Sequence, residues 1–276
     1  MILIKLRNLI RIKDDASARP LIERMASATL SPEVTSMALF RAAIPEVARQ
    51  NEIADRLCAI GHYRRLQTGQ ELPGSAREDR LVFVTNGVTK LIAHLAPAPN
   101  AQAQLDAPNT KALGKTQLLA FHFPGDIVSV LREEDGDFRL VALQETELVV
   151  FYADQFLDVA QDEPAVIRSM LASSIQALHA SRTRMMQLGH KCAGTRIAEF
   201  LTSMAGRVCG CSGGNCEFAL PMSRRDIADS LGLTIETVSR QFAELKDAGL
   251  IETQGRSIIR VSDLDTLARR GGCQSS

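Results

Sequence analysis

Two groups of residues have the types and the spacing to do chemistry. The first is Glu236, Ser239 and Arg240. On a helix, positions three and four apart share a face, so these side chains point the same way. A guanidinium can place two donors on guanine's major-groove edge. A carboxylate can accept from a cytosine amino group, and a hydroxyl can meet either kind of edge. That chemistry is base reading rather than bond-making. Glu236 and Arg240 could equally form an ordinary surface ion pair, worth roughly 0.2–0.5 kcal/mol. The second group is Cys209, Cys211 and Cys216, bunched among glycines. Such thiols could hold a metal ion, join in a disulfide, serve as an oxidation switch, or simply stand in a loop. Metal sites usually want four ligands, which Cys192 or His190 would complete only if the fold brings one near.

The elements that must position the first group are legible locally. Ser223 reads as a helix N-cap with Asp226 in the first turn, where a carboxylate is favoured. Ile227, Ala228 and Leu231 face inward, and Gly232 closes the helix and permits a sharp turn. Thr234 then caps a second helix, with Thr237 three residues on and Val238, Phe242 and Leu245 on its inward face. Helix, glycine turn, helix is the pattern of a DNA-reading helix-turn-helix. Apolar runs at 248–251 and 256–261, around Thr253-Gln-Gly255, predict two strands of a wing. Ser223, Arg224, Thr234, Thr237 and Arg256 are the expected phosphate contacts.

Upstream, the texture is β. The runs 81–84 and 88–95 flank Asn86-Gly87, which predicts a hairpin because both residues tolerate positive φ. Further short runs at 118–123, 138–143 and 147–151 suggest a small antiparallel barrel or roll. Residues 97–115 read as a polar loop. Between Gly125 and Glu163 stand eleven acidic residues against two basic ones; between Ala165 and Arg207 stand six basic residues against one acidic. An acidic segment followed by a basic one fits a chain whose later part approaches an anion. From Pro164 the period becomes helical. Ile167, Leu171, Leu178, Met185 and Leu188, with Ser174 and Ser181 between them, keep heptad spacing and predict a seam between two copies of the chain.

Residues 222–245 resemble the helix-turn-helix signature of the Crp–Fnr family of bacterial regulators. Glu236-x-x-Ser239-Arg240 is similar to its Fnr and FixK branch: the Crp branch carries Arg where Ile235 stands and Gly where Ser239 stands. Ser230 departs from the family's larger apolar residue. The resemblance implies an α+β fold: a cyclic-nucleotide-binding-like β-roll, a long dimerisation helix and a C-terminal winged helix-turn-helix. The expected divisions are an N-terminal, mostly helical or loosely ordered extension over 1–50, the roll over 51–162, the dimer helix over 163–190 and the DNA-binding domain over 191–276. It also implies double-stranded DNA, RNA polymerase and a second copy as partners, a TTGAT-N4-ATCAA-like palindrome, activation, and oxygen- or redox-responsive metabolism. Arg240 would read guanine, Glu236 its cytosine, and Ser239 would lie near a thymine.

No cofactor is expected. Gly125-Asp126 resembles the start of the family's nucleotide grip, but its phosphate-binding Arg-Ser place falls near Gly136-Asp137, amid Glu133, Glu134 and Asp135, which would repel a phosphate. A Crp-like, cyclic-nucleotide-dependent reading is thereby disfavoured. No cysteine precedes Cys58, against an N-terminal iron–sulfur cluster. P-loop, G-x-S-x-G and H-E-x-x-H motifs are absent, against an enzyme. No apolar run approaches a membrane span and no signal peptide is evident, so a cytoplasmic protein with reduced thiols is expected.

Overall fold

The computed structural model describes residues 31–49, 52–72, 78–95, 115–130, 136–255 and 257–272. The expected loop 97–114, the acidic run 133–135 and Arg256 lie outside them, as do the side chains of Met185 and Leu188. Among the described residues, no helix is long and apolar enough to cross a membrane.

Among the described residues three helices come first: α1 (Pro32–Ala43), α2 (Glu46–Arg49) and α3 (Glu52–Ala59). Ser31 caps α1 by accepting from the Val34 N–H, with proline in the first turn. Eight strands follow: β1 (His62–Leu66), β2 (Glu71–Leu72), β3 (Arg80–Asn86), β4 (Thr89–Leu95), β5 (Lys115–His122), β6 (Ile127–Val130), β7 (Gly136–Ala142) and β8 (Thr146–Tyr152). They form two antiparallel four-stranded sheets, in the orders β1-β8-β3-β6 and β2-β7-β4-β5. The roll is therefore present, but the hairpin expected across Asn86-Gly87 is not. β3 pairs with β6 and β8, whereas β4 pairs with β5 and β7. The chain crosses from one sheet to the other at this dipeptide. Gly87 has φ +87°, and a Cβ there would lie 2.4 Å from Thr146 Oγ1 and 2.6 Å from the Glu145 carbonyl oxygen. The glycine serves a sheet corner pressed against the turn before β8, a use of positive φ that sequence cannot distinguish from a tight turn.

The expected boundary at residue 50 runs through a core. Phe40 of α1 packs on Phe83 and Phe151 of the roll, with ring centroids 5.4 and 4.7 Å away. Phe156 of α4 (Ala153–Ala160) completes the aromatic group. Ile44, Ala48, Ile53 and Leu57 join the same buried cluster. Helices α1 and α2, within the expected extension, are thus built into the roll, while residues 1–30 of that extension lie outside the described residues.

Helix α5 (Pro164–His190) leaves this cluster after Met170, about two turns in. Val166 is buried, and Ile167 packs partly against the roll rather than standing free on the seam. Beyond it, Leu171, Ile175 and Leu178 are 58%, 46% and 50% exposed. Ile175, which the heptad reading passed over, shares their face at i, i+4 and i+7.

The last domain holds α6 (Ala193–Met204), a π-helical turn (Ala205–Cys209), β9 (Cys216–Ala219), α7 (Arg224–Leu231), α8 (Ile235–Asp247), β10 (Ile251–Gln254), β11 (Ile258–Val261) and α9 (Leu264–Gly272). β9 adds to the wing pair in the order β10-β11-β9. Residues 248–250, expected as strand, instead turn the chain off α8, with Gly249 at φ +67°.

Truncating Phe40 to alanine should cost about 3–5 kcal/mol. A chemical-denaturation midpoint for Phe40→Ala unchanged from that of the parent chain would return α1 to a loose appendage.

Candidate nucleic-acid interface

The recognition element is α8, and its two faces divide as its sequence period demands. Val238, Phe242 and Leu245 are buried in the domain core with Ile197, Leu201, Ile227 and Ile259. Glu236, Ser239 and Arg240 are exposed on the opposite side. Thr234 caps the helix: its Oγ1 accepts from the Thr237 N–H at 3.2 Å and lies 3.1 Å from Thr237 Oγ1. With the Thr234 hydroxyl bonded to Glu236, Thr237 is left to donate to Thr234, and the backbone N–H groups of this first turn mark the positive end of the helix dipole, where a phosphate is favoured.

The three outward side chains are ready acceptors and donors. Glu236 is not paired with Arg240. Hydrogen bonds from its own backbone N–H and from Thr234 hold its carboxyl below the usual carboxylate range, so it is an acceptor at neutral pH. Arg240 makes only a long contact, Nε to Glu244 Oε1 at 3.9 Å, and is 69% exposed, which leaves its fork available. Ser239 donates its hydroxyl to the Ile235 carbonyl at 2.9 Å and so offers acceptor lone pairs and a small apolar edge.

Helix α7 sets the angle of α8. Gly232, in the left-handed region at φ 61°, ends α7 and sends its N–H to the Ala228 carbonyl. Arg196 of α6 donates to the Leu231 carbonyl at 2.6 Å, fixing the turn from below. At the other end is a full capping box. Ser223 Oγ accepts from the Asp226 N–H, and Asp226 accepts from both the N–H and the hydroxyl of Ser223. The Ser223 hydroxyl is spent inside this box, so the proton expected to meet a phosphate goes to Asp226 instead.

Arg224 also departs from its expected place. Its guanidinium stacks 3.2 Å over the Phe242 ring, and burial lowers its pKa to about 10, which still leaves it charged at neutral pH. It faces inward and fastens α7 to the recognition helix. Its neighbour Arg225 is exposed instead. Nothing in the spacing says which of two adjacent arginines turns inward; the Phe242 ring decides it.

The domain is also docked on the roll. Lys90 of β4 donates to Asp226 at 2.6 Å, with both groups largely buried. Arg207 of the π-helical turn pairs with Asp126 and lies over the Phe123 ring at 4.4 Å. Val88 and Phe123 of the roll belong to the DNA-binding domain's core cluster. Asp126 stands where the resemblance would put a nucleotide-gripping acid. It accepts from the Phe123 N–H and from Arg207, so it is directed at the other domain. The second half of that grip falls on residues whose side chains are outside the description.

The Crp-like helix-turn-helix domain matches residues 195–270. The transcriptional activator protein FnrL of Cereibacter sphaeroides is 31% identical over 220 residues, covering 78% of this chain and 83% of the relative. The chain belongs to the Crp–Fnr family. Within this family of transcription regulators it falls on the Fnr and FixK side. The nitrogen fixation regulation protein FixK of Rhizobium meliloti is 33% identical over 154 residues, covering 56% of this chain and 68% of that one. The solved structure of FixK2 from Bradyrhizobium japonicum superposes with a TM-score of 0.63 at 25% identity, covering 78% of this Crp–Fnr chain and all of the other.

Two outcomes follow for this face. Arg224→Ala should lower stability by about 1–2 kcal/mol and leave the salt dependence of DNA binding alone, whereas Arg225→Ala should spare stability and reduce the slope of log K against log salt by about 1. The reverse pattern in paired melting and salt titrations would restore Arg224 to the phosphates. For Asp226, burial pushes the pKa up, but the bonds from Lys90 and Ser223 prevail and the net shift is downward. A depressed folded pKa gives stability that is present above the unfolded value, about pH 4, and is lost as pH falls through the folded one. Asp226→Asn should be less stable than the parent at neutral pH, and the gap should close in acid. A gap constant from pH 7 to pH 3 in thermal melts would remove Asp226 as its source.

Proposed function

We propose that the chain acts as a homodimer that activates transcription from a TTGAT-N4-ATCAA-like palindrome. The observation that carries this reading is the exposed row Glu236, Ser239 and Arg240 on a helix whose other face is locked in the domain core. Arg240 is assigned to guanine through its two parallel donors and Glu236 to the paired cytosine amino group. Ser239, with its proton turned back to Ile235, lies against a thymine. Thr234, Thr237 and Arg225 hold the flanking phosphates, and the wing strands β10 and β11 approach the backbone beside them.

A second copy is required by the reading of a palindrome. Two recognition helices about 34 Å apart would meet successive major-groove faces, one per half-site. The exposed row Leu171, Ile175 and Leu178 on α5 supplies an apolar face for that copy. Activation, with RNA polymerase as the partner, is proposed because FnrL is named a transcriptional activator. The chain is assigned to the cytoplasm, where such DNA is reached, and to regulation rather than catalysis. No small ligand is assigned to the roll, since Asp126 is already engaged by Arg207.

The test is a titration of the reduced protein against a TTGAT-N4-ATCAA duplex, with a single half-site, a TGTGA palindrome and a scrambled duplex as competitors. The full palindrome should win over all three, and Arg240→Ala should cost about 1–3 kcal/mol on it and little on the scrambled duplex. Equal losses on matched and scrambled DNA would make Arg240 a phosphate contact. Equal affinity per half-site for whole and half palindromes would rule out the dimer.

A further inference from the structure

The cysteines form a second constellation, away from the base-reading row. Cys209 ends the π-helical turn after α6. Cys211 follows Gly210, which is in the left-handed region at φ 74°. Cys216 opens β9, where it pairs with Val261 of β11 and is buried. All three sulfur atoms lie within 4.8 Å of one another. Cys209 Sγ is 2.8 Å from Cys211 Sγ and 2.9 Å from the Ala205 carbonyl oxygen.

Three sulfurs gathered within one small volume match the number of ligands that a single ion can take. A disulfide joins two sulfurs at about 2.05 Å and would leave the third thiol without a role. A metal ion bound about 2.3 Å from each sulfur spaces its ligands at roughly 3.8–4.0 Å in tetrahedral or trigonal geometry. The trio fits that shell once Cys209 and Cys211 part by about 1 Å, and the Gly210 and Gly213-Gly214 backbone can give that much. Soft thiolates select thiophilic cations such as Zn(II) and Cu(I) over Mg(II) or Ca(II). Ser212 to Asn215 are exposed, so a fourth position can be taken by water.

We propose that Cys209, Cys211 and Cys216 form a three-thiolate site for a thiophilic d10 cation. Loading is a ligand exchange without a redox step. Each thiol that binds loses its proton to solvent as its sulfur–metal bond forms, and the ion sheds a water for each sulfur gained. The loaded ion ties the end of α6 to the first residue of β9, and through β11 to the wing. The gathering of three sulfurs, one of them buried at the start of β9, is the observation that fits this role.

The experiment uses the full-length chain, reduced, stripped of metal and kept anaerobic, with no DNA present, so that its result is separate from that of the base-reading test. Zn(II) is titrated against a chromogenic chelator, and Co(II) is used as a spectroscopic stand-in. One ion per chain is expected, with a sulfur-to-cobalt charge-transfer band and tetrahedral visible bands. Apparent affinity should rise steeply with pH near neutrality, because each of the three binding thiols gives up a proton. Cys209→Ser and Cys211→Ser should each weaken binding by about 100-fold or more, beyond the 10–100-fold of a lost outer-shell partner. Cys58→Ser and Cys192→Ser should bind as the parent does. Cys209 and Cys211 are only half-buried, and circular dichroism of these two variants identifies any that fail to fold. Substoichiometric Zn(II) on the folded parent, or full binding by a folded Cys209→Ser, Cys211→Ser double variant, overturns the site.

Discussion

Much of the molecule hangs on the Asp226 carboxylate. It closes the capping box of α7 by accepting the N–H and hydroxyl of Ser223, and it receives the ammonium of Lys90 from the roll. A carboxylate taken this far out of water is stable only while such partners remain, since a buried charge left alone is costly. One group therefore starts the first helix of the helix-turn-helix and fastens that unit to the roll. The angle of α7 fixes Gly232, the turn fixes Thr234, and the recognition row follows from there.

The interface was legible in the sequence where its causes are local. Ser223, Gly232, Thr234 and the inward series Val238, Phe242 and Leu245 announce caps, turn and face within a few residues of where they act. The parts that were not legible depend on distant partners. Asn86-Gly87 shows that the chain can turn with positive φ. Whether the next strand pairs with the last one or leaves for the other sheet is decided by Glu145 and Thr146, nearly sixty residues on. Arg224 and Arg225 are alike until Phe242 places its ring under one of them. Phe40 lies in a segment that reads as loosely helical, and only the aromatic group of Phe83, Phe151 and Phe156 makes it core.

The fold also separates two kinds of demand on the DNA-binding unit. One side of α8 must be rigid, and it is packed against α6, α7 and the wing sheet. The other stays exposed, and among the described residues its arginine has only a distant carboxylate for company. Such a face gives up little on leaving water-exposed partners, so contacts made with DNA are not offset by contacts broken within the protein. The cysteine trio lies at the foot of the same sheet, where Cys216 pairs across to Val261, and it touches the stiff side of this division rather than the reading side.

The corner at Gly87 carries a mechanical consequence. Phe83, four residues before it, is locked among the N-terminal helices, while Val88 and Lys90, just after it, lie in the DNA-binding core and on Asp226. A single short ribbon thus has one end in each half of the molecule. With so few rotatable bonds between those ends, a displacement at one is felt at the other rather than absorbed in a loop. Thermodynamic reciprocity then runs in both directions. A coupling carried by that ribbon would be of equal size from either end, from the helices around Phe40 or from α7.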